Sequence, residues 1–183
     1  MAGKTAARPP VIPTARLTLR PFRAADAPDM VDLLTDPAVS RTYVLPDFPR
    51  REDAAGLFAR LLAMSGAPEH FIYGISLGER IIGFVNDVQT GETDIELGYV
   101  IAPAHWNRGY AAEALAACIE ALFALGFDTV SAGYFEGNEA SRRVMEKCGM
   151  RPACKSQVIV YRGQERVCIY YEISKGAGAP GRA

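Results

Sequence analysis

The chain has 183 residues, of which 49% are hydrophobic and 22% charged, a composition typical of a folded globular protein rather than a disordered one. A formal net charge of −1 argues against a general polyanion-binding surface, so we expect no nucleic-acid partner. The four cysteines show no CxxC spacing and the two histidines do not complete a zinc pattern, so we expect free thiols and no metal site.

Both ends are rich in Ala, Pro or Gly and cannot bury enough side chain to offset the entropy of ordering. We therefore expect a flexible arm over residues 1–15, a single domain over 16–174 and a flexible tail over 175–183. The first 15 residues lack the apolar stretch of a secretory signal, and no segment approaches the ~20 apolar residues of a membrane span. The expectation is a cytoplasmic protein with no membrane partner.

Short strands and helices alternate through the first half of the chain. Alternating apolar residues predict a strand over 16–22, and an apolar stripe beginning near Asp26 predicts a helix over 26–35. A Pro-punctuated stretch at 43–49 precedes a second helix, whose apolar face carries Leu57, Phe58, Leu61 and Leu62. Two extended segments then predict a hairpin over 70–77 and 80–88.

The second half begins with a strand over 93–101, followed by an amphipathic helix that ends at Gly126. The remaining segments are predicted as a strand, a helix closed by Gly149 and two strands, over residues 129–135, 138–147, 156–161 and 166–173. The order β-α-α-β-β-β-α-β-α-β-β contains one strand-helix-strand crossover flanked by antiparallel pairings, which predicts a mixed α/β sheet.

The start of the longest predicted helix has the chemistry of a phosphate-binding site. A helix N-terminus presents unpaired N–H donors and the positive end of the helix dipole. Gly109 and the small Ala111 and Ala112 leave this first turn open, and the preceding strand places it at the carboxyl edge of a sheet. The alternative is a helix start in which glycine and alanine serve packing and propensity alone.

Two motifs carry a resemblance to a known family. The segment ELGYVIAPAHWNRGYAAEAL at 96–115 resembles the cofactor motif of the GNAT superfamily of N-acetyltransferases, and NEASRRVMEKCGM at 138–150 is similar to the helix that follows it there. The resemblance covers roughly residues 15–173 and is closest to the branch with the ribosomal-protein N-acetyltransferases. It implies a mixed, mostly antiparallel sheet with helices on both faces, and acetyl-coenzyme A as the acetyl donor, without a metal.

The resemblance also implies which residues contact the cofactor. The backbone of the strand before the motif would pair with the pantetheine arm, the loop and helix start would hold the pyrophosphate, and two residues of the later helix would complete the site. These are Tyr99, Val100, Ile101, Trp106, Asn107, Arg108, Gly109, Tyr110, Ala111, Asn138 and Ser141. Trp106 stands where the family usually has Gln or Arg, and Asn138 is equally suited to capping its helix.

Acetyl transfer to an amine requires a base, stabilisation of an oxyanion and a proton for the leaving thiolate. Glu96 is the candidate base, with a solvent-facing carboxylate on a half-buried strand as the alternative. Met145 replaces the Tyr that many family members use as the acid, so Ser141 is the candidate acid, although its hydroxyl could instead bond a helix carbonyl.

The predicted function is direct transfer of the acetyl group of acetyl-CoA to a primary amine, on a peptide N-terminus or a small molecule. We expect the acceptor between the first two helices and the sheet, bordered by residues 43–48. A homodimer is possible through the β-rich end after Met150. The alternative is a catalytically silent CoA-binding or interaction module, whereas a nucleoside triphosphatase loop ending in Lys-Ser or Lys-Thr is absent from the sequence.

Overall fold

The computed structural model describes residues 8–176 of the chain. Its strands and α-helices are β1 Ile12–Pro13, β2 Thr18–Arg20, α1 Ala27–Thr35, α2 Pro37–Ser40, α3 Arg51–Gly66, β3 Tyr73–Leu77, β4 Arg80–Thr90, β5 Asp94–Ile101, α4 Tyr110–Ala124, β6 Thr129–Phe135, α5 Glu139–Lys147, β7 Arg151–Tyr161 and β8 Gln164–Ser174. None of the helices within residues 8–176 has the length and apolar character needed to cross a bilayer.

The strands form one sheet in the order β1-β2-β3-β4-β5-β6-β8-β7. Neighbouring strands are antiparallel except β5 and β6, which are parallel and joined through α4. A parallel pair needs such a crossover, because a tight turn can only reverse the chain. The predicted mixed, mostly antiparallel α/β fold is confirmed.

The sheet separates two apolar cores. Residues of α4 and α5 such as Leu115 and Met145 pack on one side, which we call the α4 face. Residues of α1 and α3 such as Met30 and Phe58 pack on the other side, which we call the α1 face.

Strand β5 contributes side chains to both cores. Ile95, Leu97 and Ile101 belong to the core of the α4 face, whereas Val100 belongs to that of the α1 face. Successive strand residues point to opposite sides of a sheet, so Glu96 and Gly98 share the α1 face with Val100.

A buried ion pair fixes the start of α1 to β2. The Arg20 guanidinium donates to both carboxylate oxygens of Asp26 at 2.8 and 2.9 Å, and both residues are buried. Burial alone would raise the pKa of Asp26, but the hydrogen bonds from Arg20 and the Arg23 backbone hold it below its ordinary value of 3.8. The carboxylate therefore stays charged and paired.

Parts of both predicted flexible ends contact the domain. Ile12 is buried and pairs with Leu19 as part of β1, and the Arg8 side chain donates to the backbone carbonyl of Ser65, so residues 8–15 lie on the domain. At the other end, the Lys175 ammonium donates to the Phe123 carbonyl at 2.9 Å. The rest of each predicted tail, residues 1–7 and 177–183, lies outside the described residues.

Candidate active site

The two parallel strands separate part-way along their length. Pairing of β5 with β6 runs from Asp94 opposite Thr129 to Leu97 opposite Ala132, although β5 continues to Ile101 and β6 to Phe135. Beyond this point β5 pairs with β4 and β6 pairs with β8. The strands therefore open into a splay, and the predicted pantetheine-binding residues Tyr99, Val100 and Ile101 lie along one limb of it.

The loop at the open end of the splay is shaped by two left-handed residues. Asn107 has a φ of 59° and Gly109 a φ of 81°, after which α4 begins at Tyr110. Within the described part of the chain, no side chain caps this helix start. The first-turn N–H groups, including that of Ala111, are consequently available to an anion, since the first amides of a helix have no partner within it. Arg108 lies between the two left-handed residues.

Arg16 contacts this loop as part of a group of residues, Thr14, Arg16 and Glu113, that we call the clasp. The sequence did not predict this contact. The Arg16 guanidinium donates to Glu113 in the first turn of α4 at 2.7 Å and to the Arg108 carbonyl at 3.0 Å, and it lies 4.6 Å from the centroid of the Tyr110 ring. A Cβ on Gly109 would lie 3.3 Å from the same guanidinium. Gly109 is thus favoured by its positive φ, whereas the approach of the Arg16 side chain leaves only a little less room than a Cβ needs.

Glu113 holds the clasp together by accepting three hydrogen bonds. They come from the Thr14 hydroxyl at 2.5 Å and from the Arg16 backbone and side chain at 2.8 and 2.7 Å. Burial opposes ionisation of Glu113, but these hydrogen bonds hold its pKa below the ordinary value of 4.5. A carboxylate also favours the positive end of a helix dipole, so Glu113 stabilises the start of α4 as well.

Trp106 joins the loop to the end of β5. Its indole N–H donates to the Ile101 carbonyl at 2.6 Å, and 40% of the residue remains exposed. The side chain that replaces the usual Gln or Arg therefore anchors the loop to the strand.

A tyrosine and a serine meet on the α4 face of the splay. The hydroxyl oxygens of Tyr99 and Ser141 are 2.7 Å apart, and the Ser141 carbonyl also accepts from Tyr99 at 3.2 Å. Burial raises the pKa of Tyr99, although the bond to Ser141 acts in the opposite direction. The Asn138 side chain accepts from the Ser141 N–H at 3.2 Å and so caps α5. Three predicted site residues, Asn138, Ser141 and Tyr99, therefore lie next to one another. Met145, which stands where many family members have a Tyr, is fully buried in the core.

Glu96 is enclosed on the α1 face. Only 14% of its side chain is exposed, and its carboxylate lies 3.8 Å from the Lys155 ammonium. Burial raises the pKa of Glu96 above its ordinary value of 4.5, and Lys155 partly offsets this effect. Asp94, two residues earlier, is exposed, so the alternative of a solvent-facing strand carboxylate describes Asp94 and not Glu96.

Two glycines lie at the opening of the splay, each covered by a tyrosine on the α1 face. A Cβ on Gly98 would lie 2.8 Å from the Tyr43 hydroxyl, and a Cβ on Gly133 would lie 3.0 Å from the Tyr170 ring. The Tyr43 hydroxyl bonds the side chain of Asn86, which lies opposite Gly98 on β4. Tyr43 with Asn86, and Tyr170 with the Cys168 sulfur, occupy the space that larger residues at Gly98 and Gly133 would fill.

The segment carrying Tyr43 is held by β7. The Tyr161 hydroxyl donates to the Ser40 carbonyl at 3.0 Å and accepts from the Leu45 N–H at 3.3 Å. A cavity of about 320 Å³ lies beside this segment, between α1, α2 and the β7–β8 turn. Its lining residues are Leu34, Thr35, Pro37, Ser40, Asp47, Phe48, Pro49 and Arg162.

The predicted base and acid lie on opposite faces of the sheet. Glu96 is on the α1 face, whereas Ser141 contacts Tyr99 on the α4 face, and the opening of the splay lies between them. Such an arrangement suits a reaction in which two substrates meet from opposite sides. Among residues 8–176, no group of three or more His, Cys, Asp or Glu side chains is arranged to hold a metal ion.

The family model of the acetyltransferase (GNAT) domain matches residues 16–151, most of the chain. The chain belongs to the GNAT acetyltransferase family. This confirms the family predicted from the two motifs, and with it an acyltransferase.

Relatives and solved GNAT structures agree with this assignment. An uncharacterized N-acetyltransferase, YoaA of Bacillus subtilis (strain 168), is 29% identical over 147 residues, covering 78% of this chain and 83% of the relative. The crystal structure of a GNAT acetyltransferase from Bacillus anthracis superposes with a TM-score of 0.77 at 25% identity, covering 90% of this chain and 98% of that one.

A ribosomal-protein acetyltransferase shares the fold at lower identity. RimL, described as a ribosomal L7/L12 alpha-N-protein acetyltransferase in complex with coenzyme A, superposes with a TM-score of 0.76 at 15% identity. The superposition covers 92% of this chain and 99% of RimL.

Several residues of this candidate site were not predicted individually because they meet through long-range contacts. Thr14 and Arg16 contact Glu113 from nearly a hundred residues away, and Lys155 and Tyr170 reach the splay from β7 and β8. Arg16 and Glu113 carry opposite charges, but no local pattern in the sequence pairs them, and only the folded sheet brings them together.

Proposed function

We propose that this protein transfers the acetyl group of acetyl-CoA directly to a primary amine. The observation that carries the proposal is the splay of β5 and β6, which opens beside an uncapped helix start on one side and a half-buried carboxylate on the other. The two substrates of acetyl transfer have to meet at one point while their bulk stays apart, and this opening offers such a point.

The chain's own groups fit acetyl-CoA. On the limb carrying Tyr99, Val100 and Ile101, the backbone groups of Tyr99 and the Ile101 N–H alternate with those that bond β4 and would pair with the amides of the pantetheine arm. The loop from Trp106 to Ala111 would hold the pyrophosphate through backbone N–H groups, with Arg16 fixing the loop through the Arg108 carbonyl. Asn138 and Ser141 would complete the site from α5.

When bound, acetyl-CoA supplies a thioester whose carbonyl carbon accepts an amine nitrogen. Glu96 takes a proton from the acceptor ammonium or from the attacking amine, directly or through a water, and its raised pKa makes it a stronger base than an exposed glutamate. A backbone N–H near Ile101 stabilises the developing oxyanion. Ser141, linked to the Tyr99 hydroxyl, donates the proton that the departing thiolate needs.

Binding is tested by thermal unfolding with and without acetyl-CoA. At about 100 times Kd a ligand adds ~2.7 kcal/mol to the free energy of unfolding, which corresponds to a rise in Tm of about 5–10 °C for a domain of this size.

Gly109→Glu should abolish this rise in Tm, because a carboxylate would meet the pyrophosphate and the backbone would be strained at a φ of 81°. Gly56→Glu, at an exposed α3 position with no atom within 4 Å of its Cβ, is the matched control. An unchanged Tm at saturating acetyl-CoA would remove the cofactor assignment.

The acceptor is sought by measuring thiol release with a panel of amines, amino acids, aminoglycosides and N-terminal peptides. The α1 face around Glu96, with Tyr43 and Tyr170 beside the opening, is the proposed acceptor side. Release of CoA with any amine supports transfer to nitrogen and identifies the acceptor class. Binding of acetyl-CoA without turnover on any of them would instead favour the silent CoA-binding module.

A further inference from the structure

Lys155 places an amine beside the proposed base. It lies in β7 where the pairing with β8 shifts register between Pro152 and Ser156. Its ammonium is 3.8 Å from the Glu96 carboxylate and 4.3 Å from the centroid of the Tyr170 ring. At this distance the two groups form an ion pair, and a shift of under about 1 Å or one bridging water would bring the ammonium within proton-transfer reach of the carboxylate.

The same amine lies near the opening of the splay. Tyr170, on whose ring Lys155 rests, covers Gly133, the first β6 residue beyond the paired segment. More than half of the Lys155 side chain, 55%, is exposed, so its long stem is free to move toward the opening. The lysine therefore combines proximity to the base with freedom to approach the thioester.

We propose that Lys155 is an internal acetyl acceptor, a proposal that rests on the acetyl-transfer function above. Glu96 takes the proton from the Lys155 ammonium, and the freed nitrogen pair attacks the carbonyl carbon of the acetyl thioester. A nitrogen–carbon bond forms and the carbon–sulfur bond breaks; the nitrogen gives up its second proton, the thiolate takes up one proton, and coenzyme A leaves as its thiol while Glu96 later returns its proton to water. The product is Nε-acetyl-Lys155, with no oxidant or reductant needed.

The other lysines occupy different surroundings. The sequence contains Lys4, Lys147, Lys155 and Lys175. Lys147 is exposed at the end of α5, and Lys175 donates to the Phe123 carbonyl at the end of α4. Lys147 therefore serves as an internal reference for acetylation that occurs without help from the site.

Acetylation of Lys155 changes the acceptor side as well as the lysine. The amide product carries no charge, so it no longer pairs with Glu96 or makes a cation–π contact with Tyr170. Glu96 is then free to engage an external ammonium. Self-acetylation consequently removes the cation that pairs with Glu96 and leaves its carboxylate available to an acceptor ammonium.

The test is a time course of acetylation measured by peptide mass spectrometry. Wild-type protein is incubated with acetyl-CoA, and the acetylated fractions of Lys155 and Lys147 are followed over time. We expect an initial rate at Lys155 at least about tenfold that at Lys147, below the 10²–10⁴ that a positioned base contributes. The fraction modified per unit time should not depend on protein concentration, because the step occurs within one molecule. Equal rates at the two lysines, or a rate that rises with protein concentration, would overturn the proposal.

Two variants on β5 test the part played by the carboxylate. Glu96→Gln should lower the Lys155 rate to that of Lys147, whereas Asp94→Asn, at an exposed carboxylate on the same strand, should leave the Lys155 excess intact. A persistent excess in folded Glu96→Gln would overturn the proposed proton transfer.

Failure of this proposal is distinguishable from failure of the proposed function. Turnover of an external amine by wild-type protein that carries no acetyl group on Lys155 would overturn the internal acceptor alone. Absence of any Tm rise with acetyl-CoA would overturn both.

Discussion

Folding removes most of the water around the Glu96 carboxylate, and this desolvation is the main determinant of its pKa. Burial disfavours the charged form and raises the pKa, and the Lys155 ammonium offsets only part of the effect. The folded protein therefore keeps the Glu96 proton to a higher pH than the unfolded chain does. As the pH rises from about the ordinary value of 4.5 through the folded pKa, this residue's contribution to the free energy of unfolding falls.

Glu96→Gln should remove that pH-dependent contribution and lower kcat/KM. The loss of rate should be about 10²–10⁴-fold and largest between the folded pKa of Glu96 and the pKa of the acceptor amine, where the carboxylate is charged and the amine still carries the proton it must lose. Initial rates and chemical denaturation across the pH range measure both effects. Asp94→Asn controls for a charge change on the same strand, and an equal rate for Glu96→Gln and wild type at every pH would exclude Glu96 as the base.

The Tyr99–Ser141 hydrogen bond predicts a shared role in protonating the thiolate. Ser141→Ala and Tyr99→Phe should each lower kcat by at least about tenfold with little change in KM, since both remove a proton path used after binding. The double variant should lose little more than either single one, because linked groups are non-additive. Steady-state kinetics measure this, with Ser156→Ala on exposed β7 as the control. Fully additive losses would show that the two hydroxyls act separately.

At the scale of elements, the clasp joins the N-terminal strand region to the first turn of α4. Arg16 is 47% exposed on its side chain, so its ion pair with Glu113 contributes no more than about 1 kcal/mol to stability. Its hydrogen bond to the Arg108 carbonyl, however, acts directly on the loop that would hold the pyrophosphate. The clasp therefore matters more for the shape of the loop than for the stability of the fold.

Arg16→Gln should weaken acetyl-CoA binding much more than it lowers stability. Arg80→Gln is the matched control, because Arg80 is an exposed arginine that pairs with Asp29 in the first turn of α1, away from the loop. Isothermal titration calorimetry and thermal unfolding on both variants measure affinity and stability. We expect similar small losses of stability and a rise in Kd of about tenfold or more for Arg16→Gln alone, the size of a lost charge-assisted contact. An equal change in Kd for the two variants would contradict the role of the clasp.

The elements that the sequence predicted best are the helices α4 and α5, which have a helical repeat of apolar residues or a capping residue and a glycine at their end. The stripe on α4 ends near Gly126 and the cap at Asn138 starts α5, so short-range rules were sufficient there. β1 was missed because two residues carry no period, and their Pro-rich surroundings favoured a flexible arm. The members of the candidate site that were predicted lie within the two motifs, around residues 96–111 and at Asn138 and Ser141. The long-range members of the site, such as Tyr170, depend on strand order that local pattern does not encode.

At the scale of the whole molecule, the sheet formed by residues 8–176 ends in β7, a strand that pairs on one side only within that range. β7 is the last strand in the order, and Val158 and Val160 on it are 59% and 75% exposed. Unpaired edges carrying apolar residues are prone to associate with another strand. This makes β7 the place to examine the predicted homodimer.

Val160→Lys should shift a dimer toward monomer in sedimentation equilibrium, because a charged side chain on an edge strand opposes pairing between copies. Val11→Lys, at an exposed position near the opposite edge, is the control and should leave the association constant unchanged. A wild-type protein that remains monomeric at all concentrations would contradict the homodimer.

The two sides of the splay draw many of their residues from different stretches of the chain. Tyr99 and Ser141 on the α4 face come from the middle, as does Glu96 on the α1 face, whereas the other α1-face groups lie outside it: Tyr43 precedes, and Lys155 and Tyr170 follow beyond the end of the GNAT domain match. Mutations that remodel the acceptor side therefore need not pass through the segment that handles the acetyl donor. Over evolutionary time such a layout lets new acceptor preferences arise by drift in the flanking segments while the donor chemistry is inherited intact.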